Sequence, residues 1–236
     1  MTASDKASQV SSTAPIVDTS KPKDFDGALA TTDDLPPNDV MRKIGDLQLL
    51  DKNGNPHAFE KIVSGAERTL VIFVRHFFCG NCQEYIRGLS AEIQPEALPV
   101  NSAIVIIGCG DPQLINMYVD ATGCKYPLYT DPERKVFDRL GMIKTLQLGK
   151  KPKYMKQSMT AMVMSSIAQG LRQIPTGLAH RSGDHRQVGG EFMFETAAEG
   201  VKQVTWCHRM RTTRDHAEVD EIKRVLHMQT ETEEAI

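Results

Sequence analysis

Apolar and polar positions along the chain fall into runs of two periods. Thr69-Leu70-Val71-Ile72-Phe73-Val74 is unbroken β-branched and aromatic sequence, the mark of a strand covered on both faces. Ala103 to Cys109 repeats that pattern. Between them, Ile86, Leu89 and Ile93 recur at helical spacing, so the first strand feeds a helix that begins at about Cys79 to Cys82. Asp111-Pro112 opens the next helix, with proline in the first turn where its missing N–H costs little. Its apolar face is Leu114, Ile115, Tyr118 and Val119. Tyr126 to Thr130 reads as a short strand, and Asp131-Pro132-Glu133-Arg134 caps a third helix that ends at Gly141. Strand and helix alternate, which implies a parallel core with right-handed crossovers.

The flanks follow other patterns. Leu47 and Leu49 with the turn Asp51-Lys52-Asn53-Gly54 read as a hairpin, because Asn-Gly supplies the positive φ angles of a tight turn. Phe59 to Val63 is apolar again. Residues 142–185 form an insert. Lys144 to Lys156 is basic and loop-like, Ser158 to Gln169 is a short helix, and His180 to Arg186 is a polar loop. Met159, Met162 and Met164 on that helix are read as core filler. Glu191 to Phe194 and Gln203 to Cys207, around Glu199-Gly200, predict a second, antiparallel hairpin. The last helix is predicted over Asp215 to Met228, with Val219, Ile222, Val225 and Leu226 on one face. The domain is expected over 41–228. Residues 1–40, rich in Ser, Thr, Asp and Pro, lack a sustained apolar period and are read as a disordered or partner-packing arm. Residues 229–236 are an acidic, fraying tail.

With 236 residues, a net charge of −2 and 25 % charged residues, the composition is that of a globular domain. It argues against nucleic-acid binding driven by charge. No apolar run approaches the roughly 18 residues of a membrane span, and Met1 to Val10 is polar, so a cytoplasmic setting with reduced thiols is expected. The chain has five cysteines, an odd number, and three are remote from any other in sequence. The Cys79-Gly80-Asn81-Cys82 pair therefore points to redox or metal chemistry rather than to a disulfide framework. A thiol at a helix N-terminus meets unpaired N–H groups and the positive end of the dipole, which favour thiolate. A second cysteine three residues on is close enough to close a disulfide. Zinc would need four ligands, and there is no second Cys-x-x-Cys; the adjacent Cys207-His208 is a poor substitute. Two buried, inert thiols are the other alternative. Arg75, a fixed cation beside the pair, is expected to lower a thiolate pKa or to hold an anionic substrate. His76 is a candidate proton carrier. Phe78, Gln187 and Gly189 are further substrate-positioning candidates, whereas His208 and His216 are open to a structural role.

Phe73-Val74-Arg75-His76-Phe77-Phe78-Cys79-Gly80-Asn81-Cys82-Gln83-Glu84-Tyr85 resembles the signature of the peroxiredoxin-like 2 group of the AhpC/TSA (alkyl hydroperoxide reductase/thiol-specific antioxidant) superfamily. Asp46 to Gly54, Tyr129-Thr130-Asp131-Pro132, Gln187 to Phe192, and His208-Arg209 with Asp215-His216 resemble its flanking segments. The resemblance implies an α/β, thioredoxin-like (peroxiredoxin-type) mixed sheet flanked by helices. It also implies thiol chemistry on a peroxide, endoperoxide or disulfide. Thioredoxin or glutathione is then the expected reductant, a homodimer is an open assembly, and no metal or other cofactor is needed. Three departures stand out. Aligned on the peroxiredoxin Pro-x-x-x-Thr-x-x-Cys motif with Cys82 as the peroxidatic residue, Cys79 replaces the threonine and Arg75 the proline. Val188-Gly189-Gly190 stands where thioredoxins carry a cis-proline, which predicts an open loop able to admit substrate. Phe78 stands where thioredoxin has tryptophan, and Asn81 where it has proline. Thioredoxin logic makes Cys79 the exposed attacker and Cys82 the resolver; peroxiredoxin logic favours Cys82. Two other classes stay open: a small-molecule tailoring enzyme of a biosynthetic pathway, and a non-catalytic binding module.

Overall fold

A computed structural model describes residues 31–155 and 159–228. Residues 1–30 of the segment read as an arm, and the tail 229–236, lie outside the described residues. The strands are β1 (Gln48–Leu50), β2 (Pro56–Ala58), β3 (Arg68–Phe73), β4 (Ser102–Gly108), β5 (Leu128–Thr130), β6 (Gly190–Thr196) and β7 (Lys202–Arg209). The helices are α1 (Val40–Ile44), α2 (Phe59–Val63), α3 (Gly80–Glu92), α4 (Ile115–Thr122), α5 (Lys135–Arg139), α6 (Met159–Arg172) and α7 (Val219–Val225). The strands make one seven-stranded mixed sheet in the order β2-β1-β5-β4-β3-β6-β7. β3, β4 and β5 run parallel, and both hairpins join antiparallel at the flanks.

The unbroken apolar runs have the predicted cause. Leu70, Ile72 and Val74 of β3 and its extension face Tyr85, Ile86 and Leu89 of α3, Tyr118 of α4 and Ile222 of α7. Val71 and Phe73 face the other way, into a core with Ile44, Phe59 and Phe137. Each large apolar side chain fully buried in this way contributes about 1.5–3 kcal/mol, so the centre of the sheet is its most rigid part. The site grows from that centre.

Three expectations need correction. The last helix starts at Val219, not Asp215. The turn before it is spent on other bonds: the Arg211 N–H donates to the Asp215 carboxylate at 2.8 Å, and the His208 ring meets the Asp215 carbonyl at 2.6 Å. Met164 is exposed rather than packed, and Ile167, Leu171 and Ile174 continue an exposed apolar stripe; the Met159 and Met162 side chains lie outside the described ones. Finally, residues 32–34 of the segment read as an arm run along the outer strand β7. Arg209 donates to the carbonyls of Thr32 and Asp34, both at 2.8 Å, and its own N–H donates to the Asp33 side chain at 2.8 Å. These contacts cover an edge that would otherwise present free backbone groups.

Candidate functional site

The sequence after β3 is pinned before it reaches the dithiol. The Val74 N–H still donates to Ile107 O at 2.8 Å, and the Phe77 N–H to Ser182 O at 2.9 Å. The Phe77 ring lies flat on glycine: a Cβ at Gly108 would stand 2.3 Å from it, and one at Gly110 2.6 Å. Cys79 is the N-cap of α3, in extended conformation. All five cysteines are free thiols and all are buried.

Cys79 is 3 % exposed against 0 % for Cys82, and it borders a cavity of about 480 Å³. Arg75, His76, Phe78, Gly80 and Asn81 line the same cavity. Its remaining wall comes largely from the insert, with Leu146, Leu148, Ser166 and Ile167 among the lining residues. Cys82 is fully buried below this cavity and does not line it. A half-buried pair of reciprocal amide bonds ties the wall to the thiol helix: Gln83 Nε2 donates to Gln169 Oε1 at 2.7 Å, and Gln169 Nε2 donates back to Gln83 Oε1 at 2.9 Å.

Arg75 is placed against one of the two sulfurs. Its guanidinium is buried. It donates to the carbonyls of His185 at 2.5 Å, Gln187 at 3.2 Å and Thr213 at 3.5 Å, and to Cys79 Sγ at 3.1 Å. Among the described residues no carboxylate makes an ion pair with it. A buried cation needs an anion as well as dipoles, and the Cys79 sulfur is the group placed to supply it. The hydrogen bond from the Cys82 thiol pulls the Cys79 thiol well below its ordinary value; burial opposes this, and the Arg75 charge adds to the lowering. Burial, with the neighbouring Cys79, pushes Cys82 well above its ordinary value. An Arg75→Met variant should therefore hold its Cys79 thiolate less well. Iodoacetamide alkylation followed across pH is expected to show its midpoint moved upward by about one unit or more. A midpoint equal to that of the wild type would show that the guanidinium does not hold the charge.

The other sequence candidates divide. His76 and Phe78 border the cavity; burial, then Arg75, keeps His76 well below its ordinary pKa and so uncharged at pH 7, stacked 3.9 Å from His185. Gln187 and Gly189 do not border it. The Gln187 side chain is fully buried and donates to the carbonyls of Ile143 and Val188 at 3.2 and 2.9 Å; only its own carbonyl reaches the site, through Arg75. The Val188-Gly189-Gly190 loop is closed rather than open, because Gly189 packs directly on the Phe73 carbonyl. His208 is tied to Asp215 and Asp33. His216 does enter the site. Its Nε2 lies 3.3 Å from Cys82 Sγ, its Nδ1 lies 2.5 Å from Glu191 Oε1, and the Tyr85 ring stacks on it at 4.3 Å and 1°. Glu191 was not singled out from sequence. The available signal was a carboxylate in the apolar run Glu191-Phe192-Met193-Phe194 of a strand buried on both faces.

Among the described residues, no helix is long and apolar enough to cross a membrane, and no three His, Cys, Asp or Glu side chains cluster as metal ligands. Two curated relatives, Peroxiredoxin-like 2C of Bos taurus and of Homo sapiens, are each 27 % identical over 190 residues. The match covers 79 % of this chain and 79 % and 80 % of theirs, respectively. Among solved structures, Xanthomonas campestris Peroxiredoxin Q superposes with a TM-score of 0.50 at 13 % identity, covering 82 % of this chain and 94 % of that one. This likeness shows the thioredoxin-like peroxiredoxin fold. A family model described as AhpC/TSA antioxidant enzyme matches residues 88–212, beginning just downstream of Cys82. Because that match spans more than half of the sequence, the chain belongs to the AhpC/TSA antioxidant enzyme family.

Proposed function

We propose that the protein is a thiol-dependent oxidoreductase in which Cys79 attacks a small-molecule peroxide, endoperoxide or disulfide and Cys82 resolves the product. One observation carries the reading: the Cys79 sulfur sits against the buried Arg75 guanidinium and borders a cavity, with Cys82 behind it. With a hydroperoxide, the Cys79 thiolate attacks one oxygen, the O–O bond breaks, and the leaving oxygen departs as an alcohol or water after gaining a proton. Cys79 becomes a sulfenic acid; with an endoperoxide it becomes a sulfenate ester, from which Cys82 displaces an alcohol. From the sulfenic acid Cys82 displaces water and closes a Cys79–Cys82 disulfide, which an external dithiol or two monothiols reduce. With a disulfide substrate, a mixed disulfide replaces the sulfenic acid. Thioredoxin and glutathione are the reductants of matching chemistry, and a reducing cytoplasm is the setting in which such a cycle is renewed.

Hydrogen peroxide, an organic hydroperoxide and a small aromatic disulfide should each be titrated into the reduced protein, with thiol state followed by mass spectrometry. The expected result is a Cys79–Cys82 disulfide after about one equivalent of the true substrate class. Retention of both free thiols with all three oxidants would sink the proposal.

A further inference from the structure

Resting on that reading, we infer that His216 is the catalytic base that takes the proton from Cys82 in the resolving step, with Glu191 as the positioning residue that receives the imidazole's other proton. Both nitrogens of the ring are committed. Nε2 faces the sulfur that must be deprotonated, at 3.3 Å, and Nδ1 faces the carboxylate at 2.5 Å. The second carboxylate oxygen accepts the Ala217 N–H at 3.3 Å. Stacking on Tyr85 fixes the ring plane, and neither the His216 nor the Glu191 side chain is exposed to solvent.

The placement follows from topology. Glu191 pairs with Ile72 of β3 and shares a face with Met193 and the dithiol helix. The segment ahead of α7 stays out of the helix and carries His216 over that face. A carboxylate and an imidazole enclosed together among apolar groups are expensive to bury, and an apolar pair would pack there at less cost. Their geometry serves Cys82 because Cys82 is fully buried, out of reach of bulk solvent, and burial holds its thiol well above the ordinary value.

The step balances as follows. The Cys82 S–H passes its proton to Nε2 while its sulfur bonds to the Cys79 sulfur. The bond between Cys79 and its departing thiolate or hydroxide breaks, and that group leaves with the electron pair. The Nδ1 proton moves to Glu191. The departing group takes its proton from solvent in the cavity, and the pair releases its extra proton to regain its receptive form. Burial pushes Glu191 up to about 8 and His216 down to about 3. The form able to accept a proton therefore grows as pH rises through about 8. The titratable and charged groups facing the pair are Cys79, Cys82 and Tyr85 on α3, Arg75 before it, Tyr154 of the insert, His208 on β7, and Asp215, Glu218 and Glu221 of the closing segment.

Dithiodipyridine separates the two steps on the full chain. One thione is released when Cys79 attacks, and a second when Cys82 resolves the mixed disulfide. In the wild type the second phase should rise with pH and level off above about pH 8. His216→Gln is expected to slow the second phase at pH 7 by about a hundredfold, within the usual range for general-base catalysis, and to leave the first within about twofold. Glu191→Gln, which keeps the shape, should slow it by about tenfold and abolish the levelling. An intact first phase certifies that each variant is folded around Cys79. The relay is overturned if the second phase is unchanged in the variants, if both phases fall together, or if the wild-type second phase has no inflection. Absence of the first phase in the wild type, together with inertness to both peroxides, overturns the proposed function instead.

Discussion

Cys79→Ser is expected to remove the reactive thiol entirely: no fast alkylation, no thione release, and oxidant consumption lower by about a thousandfold or more. A serine hydroxyl is far less acidic than a thiol, and a neutral hydroxyl is a poor nucleophile. Arg75 would gain a weak acceptor in place of an anion. Cys82→Ser should behave differently. Its first step should persist, and the protein should accumulate a Cys79 sulfenic acid or mixed disulfide visible by mass spectrometry. The two variants together assign the attacker. If Cys82→Ser abolished the first step and Cys79→Ser kept it, the roles would be reversed and the peroxiredoxin alignment, with Cys82 as the peroxidatic residue, would be the right one. The buried position of Cys82 and the 3.1 Å contact of Arg75 with Cys79 argue for the first outcome.

Gly189→Ala should be the most destabilising single-methyl change near the site. A Cβ there would stand 1.7 Å from the Phe73 carbonyl oxygen and 2.7 Å from its carbon, both backbone atoms of the central strand. Neither can rotate away, so β6 must separate from β3 or the loop must shift. Overpacking of this kind costs about 3 kcal/mol or more, which lowers the melting temperature by about 10 °C for a domain of this size. The change also moves Gln187, whose carbonyl holds Arg75, so thiol reactivity should fall alongside stability. Gly88→Ala is the control. It lies in α3 with nothing within 4 Å of its would-be Cβ, and should raise stability by up to about 1 kcal/mol. Thermal unfolding followed by circular dichroism reads both. A Gly189→Ala protein melting with the wild type would mean that the loop yields freely.

The centre of the fold was legible because it carries strong local signals. β3 and β4 announce themselves by apolar runs that only doubly covered strands need, and Asp111 caps the turn beginning at Pro112 through the Gln113 N–H as its sequence suggests. Cys79, Cys82 and Arg75 were legible as a group because they lie within eight residues of chain. The rest depended on partners distant in sequence. Nothing local says that Asp215-His216-Ala217 stays out of the helix; that follows from Glu191, which only the sheet brings near. Glu191 itself reads as an ordinary strand carboxylate until both faces of β6 are known to be covered. Gly189 was misread because the absence of proline was taken to mean space, whereas glycine there permits a closer approach of two backbones. The outward turn of Met164 had no sequence signal, since a soft apolar residue fits a core and a surface stripe equally well.

The setting of Arg75 bears on the energy of the spent enzyme. In the reduced form its buried charge is matched by a sulfur anion. Once that sulfur joins a neutral disulfide, the match is gone and three peptide carbonyls are left to stabilise the cation. Each pKa unit by which the cation favours the thiolate is about 1.4 kcal/mol held by the reduced form and forfeited on oxidation. A Cys79–Cys82 disulfide formed in the proposed cycle would be disfavoured by that amount and so more readily reduced. On the proposed cycle, the guanidinium that favours the first attack would also favour the return to the dithiol.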